Sequence, residues 1–574
     1  MQRGGSLANA PVRVKRENPI FRLFRRGRSG IIPPLPVHER ANAMKIALLL
    51  AYFALLIAIG FWCRRKAASV DGFVLGGRTV GPWLTAFAYG TSYFSAVVFV
   101  GYAGQFGWRY GISATWAGIG NALVGSLLAW AVLGRRTRIM TQHLDSATMP
   151  DFFAKRFGSP SLKLAASAII FVFLIPYTAS LYNGLSRLFS MAFPGFSYSA
   201  CIVVMAVLTA VYVIAGGYLA TAINDFIQGV VMLFGIAATI LAVLASKGGL
   251  MAAMDGLARV PGPEIVAGAG PSPGIFTSFL GPDPLNLLFV VILTSLGTWG
   301  LPQMVQKFYA ITNEGAIKKG TLISTLFAFA IAGGCYFLGG FGRLFAGEIG
   351  VTDKGMPAGG FDAVVPKMLE SAISPDGLLM ALVVVLVLSA SMSTLSSLVI
   401  TSSSTLTIDF IRGTVVKDMK PKAQVLCIRV LLVVFIAISA ALALVQYNST
   451  SPIAFIAQMM GVSWGAMAGS FLAPFLYALY SKRVTPASCW ACFAFAVVLT
   501  TANAFGWKPV LWPGTAMTPI HSGAIAMLAG LVIVPVVSLF TPRPRRDLVE
   551  GAFACYEKTT LVRQSTALGA ETIK

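Results

Sequence analysis

Apolar stretches long enough to cross a lipid bilayer recur along the whole chain, and they limit its possible folds more than any other feature. A spanning helix needs about 20 apolar residues, because the hydrocarbon layer is about 30 Å thick and each helical residue advances about 1.5 Å. Thirteen runs meet this requirement: 44–63, 81–106, 114–134, 164–190, 198–216, 223–246, 286–306, 321–346, 378–409, 424–447, 453–480, 486–505 and 521–540. Backbone groups in lipid must pair within the chain, and only 11% of the residues are charged. The sequence therefore predicts an all-α integral membrane protein with about 13 transmembrane helices.

The basic residues are distributed as in a multi-pass membrane protein. The formal net charge of +23 would by itself also fit a nucleic-acid-binding protein. Lys and Arg, however, stand in short blocks between alternate apolar runs, such as Arg64–Lys66, Arg135–Arg138 and Lys318–Lys319. This arrangement follows the positive-inside rule, so we expect membrane lipid and no nucleic acid as a partner. It places the N-terminus on the outer side of the membrane and the tail 541–574 on the cytoplasmic side.

Residues 1–43 do not fit this topology, because they are strongly basic and an exported segment should not be. They do not form a signal peptide either, since no apolar stretch follows their arginines before Met44. We expect Met44 to be the true start and 1–43 to be a disordered or misannotated extension.

Nothing in the sequence indicates an organic cofactor or covalent chemistry. Cys489 and Cys492 form a CxxC pattern, but it lies inside an apolar run and is typical of a helical turn with small residues. No cluster of His, Cys and Asp has metal-ligand spacing. We therefore expect a protein that is not an enzyme.

Two of the predicted spans contain helix-breaking segments. Residues 90–95 (GTSYFS) interrupt the second span, and residues 297–303 (GTWGLPQ) interrupt the seventh. Gly and Pro release backbone groups, which in a membrane must be satisfied by a cavity, by water or by an ion. The two breaks stand at the first position of two consecutive five-span groups, a pattern that indicates an inverted repeat with a binding site near the membrane midplane.

Hydroxyl side chains and one acidic residue add to this evidence. The segment Ala390–Ser397 (ASMSTLSS) carries five hydroxyls within a long apolar span, where neighbouring backbone, water or a small hard cation could satisfy them. Asp225 opens the sixth span. An ionisable residue there is a functional candidate, although a first-turn carboxylate at the membrane surface would explain it equally well.

Four motifs stand in order along the chain: 73–78 (FVLGGR), 148–157 (TMPDFFAKRF), 212–229 (YVIAGGYLATAINDFIQG) and 392–396 (MSTLS). Together they resemble the sodium/solute symporter family, including its bacterial sodium/proline-type and sialic-acid-type members. The resemblance covers about Met44 to Tyr480 and implies the LeuT-type fold, a 5+5 inverted repeat, in the cytoplasmic (inner) membrane of a bacterium. It divides the chain into an extra helix 44–63, a ten-helix core 64–480, two further helices 481–540 and the tail.

The resemblance also implies two sodium sites. The main site would use three backbone carbonyls and two hydroxyls, from Thr91, Phe94, Ala390, Ser393 and Thr394. A second site, known in part of the family, would use a carboxylate and four hydroxyls, from Asp225, Ser393, Thr394, Ser396 and Ser397. All of these positions carry suitable side chains, so a second sodium ion is expected as well.

The solute is expected to bind between the two breaks. The proline branch of the family suggests Ser95, Tyr177, Thr298 and Pro302, and we add the neighbouring Asn183, Trp299 and Gln303 as polar or aromatic candidates. The proline branch carries an aspartate where this chain has Tyr93, which argues against proline itself.

The resulting prediction is a sodium-coupled secondary active symporter that imports a small polar organic solute: an amino acid, a monocarboxylate or other organic acid, or a sugar. Three alternatives remain at this point: a proton-coupled transporter of the same fold with Asp225 as carrier, a solute sensor without transport, and a channel-like leak. The sequence leaves the oligomeric state open, a monomer included.

Overall fold

The structure, a computed structural model, describes residues 37–193, 197–262, 273–353, 355–374, 377–416, 418–447, 456–556, 563–565 and 571–573. The expectation for residues 1–36 lies outside this range. Helix α1 begins at Val37, seven residues before Met44.

The described chain is almost entirely helical. Its α-helices are α1 Val37–Cys63, α2 Val70–Leu75, α3 Pro82–Tyr93, α4 Ala103–Tyr110, α5 Thr115–Gly120, α6 Arg135–His143, α7 Met149–Phe157, α8 Pro160–Ala192, α9 Tyr198–Ser246, α10 Leu250–Ala258, α11 Pro284–Gly300, α12 Pro302–Ala310, α13 Glu314–Ala328, α14 Gly334–Gly340, α15 Ala346–Ile349, α16 Val364–Ala372, α17 Leu378–Thr405, α18 Pro421–Tyr447, α19 Ile456–Tyr480, α20 Pro486–Ala504, α21 Pro519–Phe540 and α22 Arg546–Phe553. Wider π-helical turns occupy Val97–Tyr102, Asn121–Leu128, Trp130–Gly134, Phe329–Gly333 and Leu406–Val415. Short 3-10 turns occupy Lys66–Ala68, Gly76–Arg78, Gly111–Ala114, Ile275–Thr277, Gly342–Phe345, Phe361–Ala363 and Ala554–Tyr556. Two small antiparallel hairpins pair β1 Val510–Trp512 with β2 Thr515–Ala516 and β3 Arg563–Ser565 with β4 Glu571–Ile573.

Local sequence sets the starts of many long helices. Proline stands within the first two helical positions of α3, α8, α11, α20 and α21, where its missing N–H costs nothing and its fixed φ suits the helix. The residues preceding α8, α11 and α20 also accept a backbone N–H of the first turn: Ser159, Asp283 and Thr485.

The described residues include ten helices that are long and apolar enough to cross a membrane, or eleven if the bent pair α11 and α12 counts as one span. Two of the ten each cover all or part of two predicted apolar runs. Val97–His143 continues through the π-helical turns into α6, and α9 passes through Gly217, where φ of 55° and ψ of −154° interrupt the helix. The expected number of about 13 stays a prediction, because these boundaries depend on how such breaks are counted.

Helix α17 lies at the centre of the bundle, with nearly every residue from Met380 to Thr405 buried. It packs against α8 and α9, and it also contacts α3. The helices α19, α20 and α21 pack closely against one another, and α19 connects this group to α8 and α11. The two late helices of the chain, α20 and α21, therefore pack on the core mainly through α19 and α11.

Candidate functional site

The first broken span is interrupted at Phe94. Helix α3 ends at Tyr93, and Phe94 has an extended backbone with φ of −89° and ψ of 113°. Helical structure then resumes with Ser95 as its capping residue, because its Oγ lies 3.3 Å from the N–H of Val97 and its carbonyl accepts from Val98 and Phe99. A break of this kind leaves carbonyls at the end of α3 without partners in their own helix.

The second broken span is interrupted at Leu301, which is extended with φ of −78° and ψ of 123°, and α11 and α12 meet there at a bend of 44°. Its glycines permit close packing on α19. A Cβ on Gly297 would lie 2.5 Å from Cε3 of Trp464, and one on Gly300 would lie 2.7 Å from Cα of Ala468. The predicted break segments thus coincide with the observed breaks.

The two broken spans are joined at one end. The N–H of Val80, just before α3, donates to the carbonyl of Ala310 at 3.2 Å, and the N–H of Thr312 donates to the carbonyl of Val80 at 3.1 Å. The start of the first broken span therefore meets the end of the second. This opposite direction is the arrangement that an inverted repeat requires.

Five oxygens meet where α17 crosses the first break. The Ser393 hydroxyl lies 3.0 Å from the carbonyl oxygens of both Thr91 and Ala390. The Thr394 hydroxyl lies 3.0 Å from the Thr91 carbonyl, 3.1 Å from that of Ala390 and 3.3 Å from that of Phe94. All five residues are buried. We call this group the five-oxygen cluster; it contains each atom that the family resemblance assigns to the main sodium site.

The residues expected at a second sodium site lie beside this cluster, and a lysine lies among them. The Ser396 hydroxyl bonds to the Ser393 carbonyl of its own helix. The Ser397 hydroxyl, by contrast, accepts from Nζ of Lys307 at 3.0 Å and lies 2.9 Å from that of Ser92. Asp225 is fully buried, and its Oδ2 lies 4.0 Å from the same Nζ. Asp225 is therefore not a surface residue of a first helical turn.

Four of the expected solute-binding residues lie at the breaks or carry unused polar atoms. Ser95 and Pro302 begin the second halves of the two broken spans. The amide of Gln303 and the hydroxyl of Tyr177 are buried without hydrogen-bond partners among the described residues. Buried polar groups normally have partners, so these groups are candidates for contacts with a bound molecule.

The other three expected solute-binding residues have protein partners. Thr298 donates to the Gly125 carbonyl at 2.8 Å, and the indole N–H of Trp299 donates to the Val124 carbonyl at 2.9 Å. Asn183 donates to Gln446 and accepts from the Tyr198 hydroxyl, so it belongs to a polar chain between α8, α9 and α18. Both polar ends of the Asn183 amide thus have protein partners, while the next residue, Gly184, packs against Ala96 beside the first break; the assignment of Asn183 to the solute site stays a prediction.

Two residues of the site were missed by sequence reasoning. Trp464 of α19 packs edge-on against Tyr177, with ring centres 6.0 Å apart at 83°, and its indole N–H also lacks a hydrogen-bond partner in the described part of the chain. Lys307 stands one residue beyond a predicted apolar run, so its position suggested a loop. A basic residue directly after a broken span was the only available signal for it.

Four arginines donate to backbone carbonyls near the ends of α6, α19 and α21: Arg78, Arg136, Arg156 and Arg483. We call this group the basic face. Arg156 is buried and donates to the carbonyls of Ala478 at 3.1 Å and Ser481 at 3.0 Å, at the end of α19. Burial lowers the pKa of Arg156 to about 10. The guanidinium stays charged at neutral pH and stabilises the negative end of the α19 dipole.

A buried acid lies outside the spans at Phe361–Ala363. The side chain of Asp362 accepts the N–H of Ile456 at 3.3 Å. Burial raises the pKa of Asp362 to about 6, although the charge of Arg187 and this hydrogen bond both act in the opposite direction. Its protonation therefore changes within the physiological range.

A multi-span protein with two broken helices, one of which presents carbonyls to a buried group of oxygens, has the architecture of a secondary transporter. The model of the sodium:solute symporter family matches residues 73–492, and the chain belongs to this family. It is a sodium-coupled symporter that imports a solute, it is a transporter and not an enzyme, and it is a multi-pass protein of the bacterial cytoplasmic membrane.

Similar proteins agree with this assignment. The chain is 27% identical over 500 residues to the osmoregulated proline transporter OpuE of Bacillus subtilis, covering 86% of this chain and 94% of the relative. It is 28% identical over 528 residues to a sodium/proline symporter of Staphylococcus aureus, covering 88% and 94%. The solved structure of a sodium-coupled sialic acid symporter in a substrate-bound, outward-open state aligns with a TM-score of 0.68 at 15% identity, covering 88% of this chain and 99% of that one. The LeuT-type fold expected from the sequence is thereby confirmed.

Proposed function

We propose that this symporter binds its driving sodium ion in the five-oxygen cluster and uses it to import a small carboxylate-bearing solute, foremost an amino acid. The observation that carries the proposal is the convergence of three carbonyls and two hydroxyls at one buried point. Oxygen ligands suit a hard cation, and the hydroxyls can turn their lone pairs toward an ion while remaining next to the carbonyls.

The position of the cluster explains how ion and solute could be coupled. Thr91 and Phe94 contribute carbonyls immediately before the break, and Ser95 begins the helix immediately after it. An ion bound between these carbonyls and α17 would also fix the orientation of the helix that begins at Ser95, where the solute is expected to bind. Because such coupling is reciprocal, bound solute would raise the affinity for sodium by the same factor.

The solute class follows from the helix ends and the unused polar groups. The second halves of the broken spans begin at Ser95 and Pro302, and the positive ends of their dipoles favour a carboxylate. Tyr177, Gln303 and Trp464 offer further unpaired polar atoms, and none of them is charged. We therefore assign Ser95, Tyr177, Pro302, Gln303 and Trp464 to solute contact. Thr298 and Trp299 would hold the second break in place through their hydrogen bonds to Gly125 and Val124.

We also propose that the basic face is cytoplasmic. Lys and Arg favour the cytoplasmic side of a bacterial membrane, which places the C-terminal part of α21 inside and the start of the first apolar run outside. Cysteine labelling with a membrane-impermeant reagent tests this orientation. A cysteine introduced at the exposed position Arg545 should react only after the membrane is opened.

Uptake into proteoliposomes tests the whole proposal. Purified protein would be given an inward gradient of sodium, potassium or protons and a panel of labelled amino acids, monocarboxylates and sugars. Concentrative, saturable uptake of an amino acid that requires sodium supports the proposal. Uptake driven by a proton gradient alone would show that protons, and not sodium, are the coupling ion. Uptake restricted to sugars would refute the assignment of a carboxylate-bearing solute.

A further inference from the structure

A buried lysine and a buried aspartate face each other next to the five-oxygen cluster. Lys307 of α12 is 2% exposed and Asp225 of α9 is fully buried, and Nζ of Lys307 lies 4.0 Å from Oδ2 of Asp225. Neither carboxylate oxygen of Asp225 has a hydrogen-bond partner among the described residues. A buried charge without ordinary hydrogen bonds is costly, so this carboxylate needs a cation nearby.

The ammonium of Lys307 is surrounded by groups that bind cations. Its Nζ donates to the Ser397 hydroxyl at 3.0 Å, and it lies 5.0 Å from the centre of the Tyr218 ring. A carboxylate, a hydroxyl oxygen and an aromatic face are three surroundings that stabilise a positive charge. The Ser397 hydroxyl is in turn shared with Ser92, which lies one residue after Thr91 of the five-oxygen cluster.

The backbone around Lys307 is fixed by its neighbour. The amide of Gln306 donates to the Val74 carbonyl at 3.0 Å and accepts from the Thr401 hydroxyl at 2.9 Å. These contacts join α12 to α2 and α17 and hold the lysine stem toward the interior. The backbone is thus fixed through Gln306, and the ammonium is fixed by Ser397 and Asp225.

Two of the five residues expected to form a second sodium site, Asp225 and Ser397, are therefore already next to a positive charge. Asp225 and Lys307 together are neutral, whereas the addition of a sodium ion would leave the buried site with an uncompensated positive charge. Two cations sharing one carboxylate at this depth would repel each other strongly, because the surroundings have a low dielectric constant.

We propose that the ammonium of Lys307 is a built-in cation that takes the place of the second sodium ion, so that each transport cycle uses one sodium ion. This inference rests on the proposed function, because the single ion is the one in the five-oxygen cluster. The expectation of two sodium ions stays a prediction, and the Lys307 contacts argue against it.

Counting bound sodium on the full-length protein tests this inference without any solute. Equilibrium binding of radiolabelled sodium to detergent-purified protein should saturate at one ion per chain. In Lys307→Gln the carboxylate of Asp225 loses its built-in cation, and saturation should rise to two ions per chain. The control Lys318→Gln removes an exposed lysine from α13 and should leave the number at one.

The double variant Asp225→Asn with Lys307→Gln separates the explanations. It keeps the site neutral and removes the carboxylate, so the number of bound ions should return to one. Two ions in the wild-type protein, or one ion in well-folded Lys307→Gln, would overturn the inference while leaving the proposed function intact. If Lys307→Gln does not fold, the wild-type number alone decides between one ion and two. No saturable binding in the wild-type protein would refute the proposed function itself.

Discussion

Removal of the Thr394 hydroxyl tests the five-oxygen cluster most directly. This hydroxyl lies within 3.3 Å of three carbonyls of the cluster, those of Thr91, Ala390 and Phe94. Thr394→Val keeps the volume and the branched shape, because a methyl group replaces the hydroxyl. A lost contact to a charged partner costs about 1.5–3 kcal/mol. Since about 1.4 kcal/mol is a factor of ten, the sodium concentration for half-maximal uptake should rise at least about tenfold.

The assay is initial solute uptake into proteoliposomes over a series of sodium concentrations at constant ionic strength. Two variants serve as controls. Thr394→Ser keeps the hydroxyl and should stay within about threefold of the wild type, a difference below about 1 kcal/mol. Ser403→Ala removes a buried hydroxyl of the same helix whose hydrogen bonds among the described residues go to Val399 and Ile400 within α17, and it should leave the sodium dependence unchanged. An unaltered sodium dependence in Thr394→Val, with normal uptake, would show that this hydroxyl is not an ion ligand.

Three further predictions concern stability, and the melting temperature of the detergent-purified protein measures each. Arg156→Met should reduce the free energy of unfolding by about 3 kcal/mol, because two charge-assisted hydrogen bonds at the end of α19 are lost. An unchanged melting temperature would mean that water replaces these two hydrogen bonds. Gly107→Ala should cost about 1–3 kcal/mol, since its Cβ would lie 2.0 Å from the Gly339 carbonyl. The matched Gly347→Ala, which meets nothing within 4 Å, should be neutral. The raised pKa of about 6 means that folded Asp362 binds its proton more tightly than the unfolded chain, so stability should fall as pH rises from about 4 to about 6.5; Asp362→Asn should flatten this slope, and equal slopes would exclude Asp362 as its source.

The five-oxygen cluster was predicted from the family resemblance, and short-range geometry explains why part of it holds together. Ala390 lies three and four residues before Ser393 and Thr394, so its carbonyl and their hydroxyls share one side of α17 in any regular helix. The break at residues 90–95 was visible from its glycine and polar residues. The choice of these five oxygens and the pairing of the two segments both came from the family resemblance, because the segments are about 300 residues apart in sequence.

The partners of other side chains could not be predicted, because they depend on packing between distant helices. Asn183 was placed at the solute site from its position on α8, but the helix turns it toward Gln446 and Tyr198. Lys307 looked like a loop residue because it follows an apolar run, whereas the bend at Leu301 directs α12 back into the bundle. The bend at Leu301 thus decides whether the ammonium of Lys307 contacts water or the buried carboxylate of Asp225.

The second broken span is held by backbone atoms of a neighbouring helix. Thr298 and Trp299 donate to the carbonyls of Gly125 and Val124, in the π-helical turns that follow α5, and the hydroxyl of Tyr89 also reaches the Gly125 carbonyl. A carbonyl is present whatever side chain its residue carries. Such contacts therefore constrain the sequence on one side only. The donors Thr298 and Trp299 must keep their hydrogen-bonding side chains, whereas Val124 can be replaced by any residue that preserves the turn. Methods that infer proximity from paired changes in related sequences would overlook the support of this break.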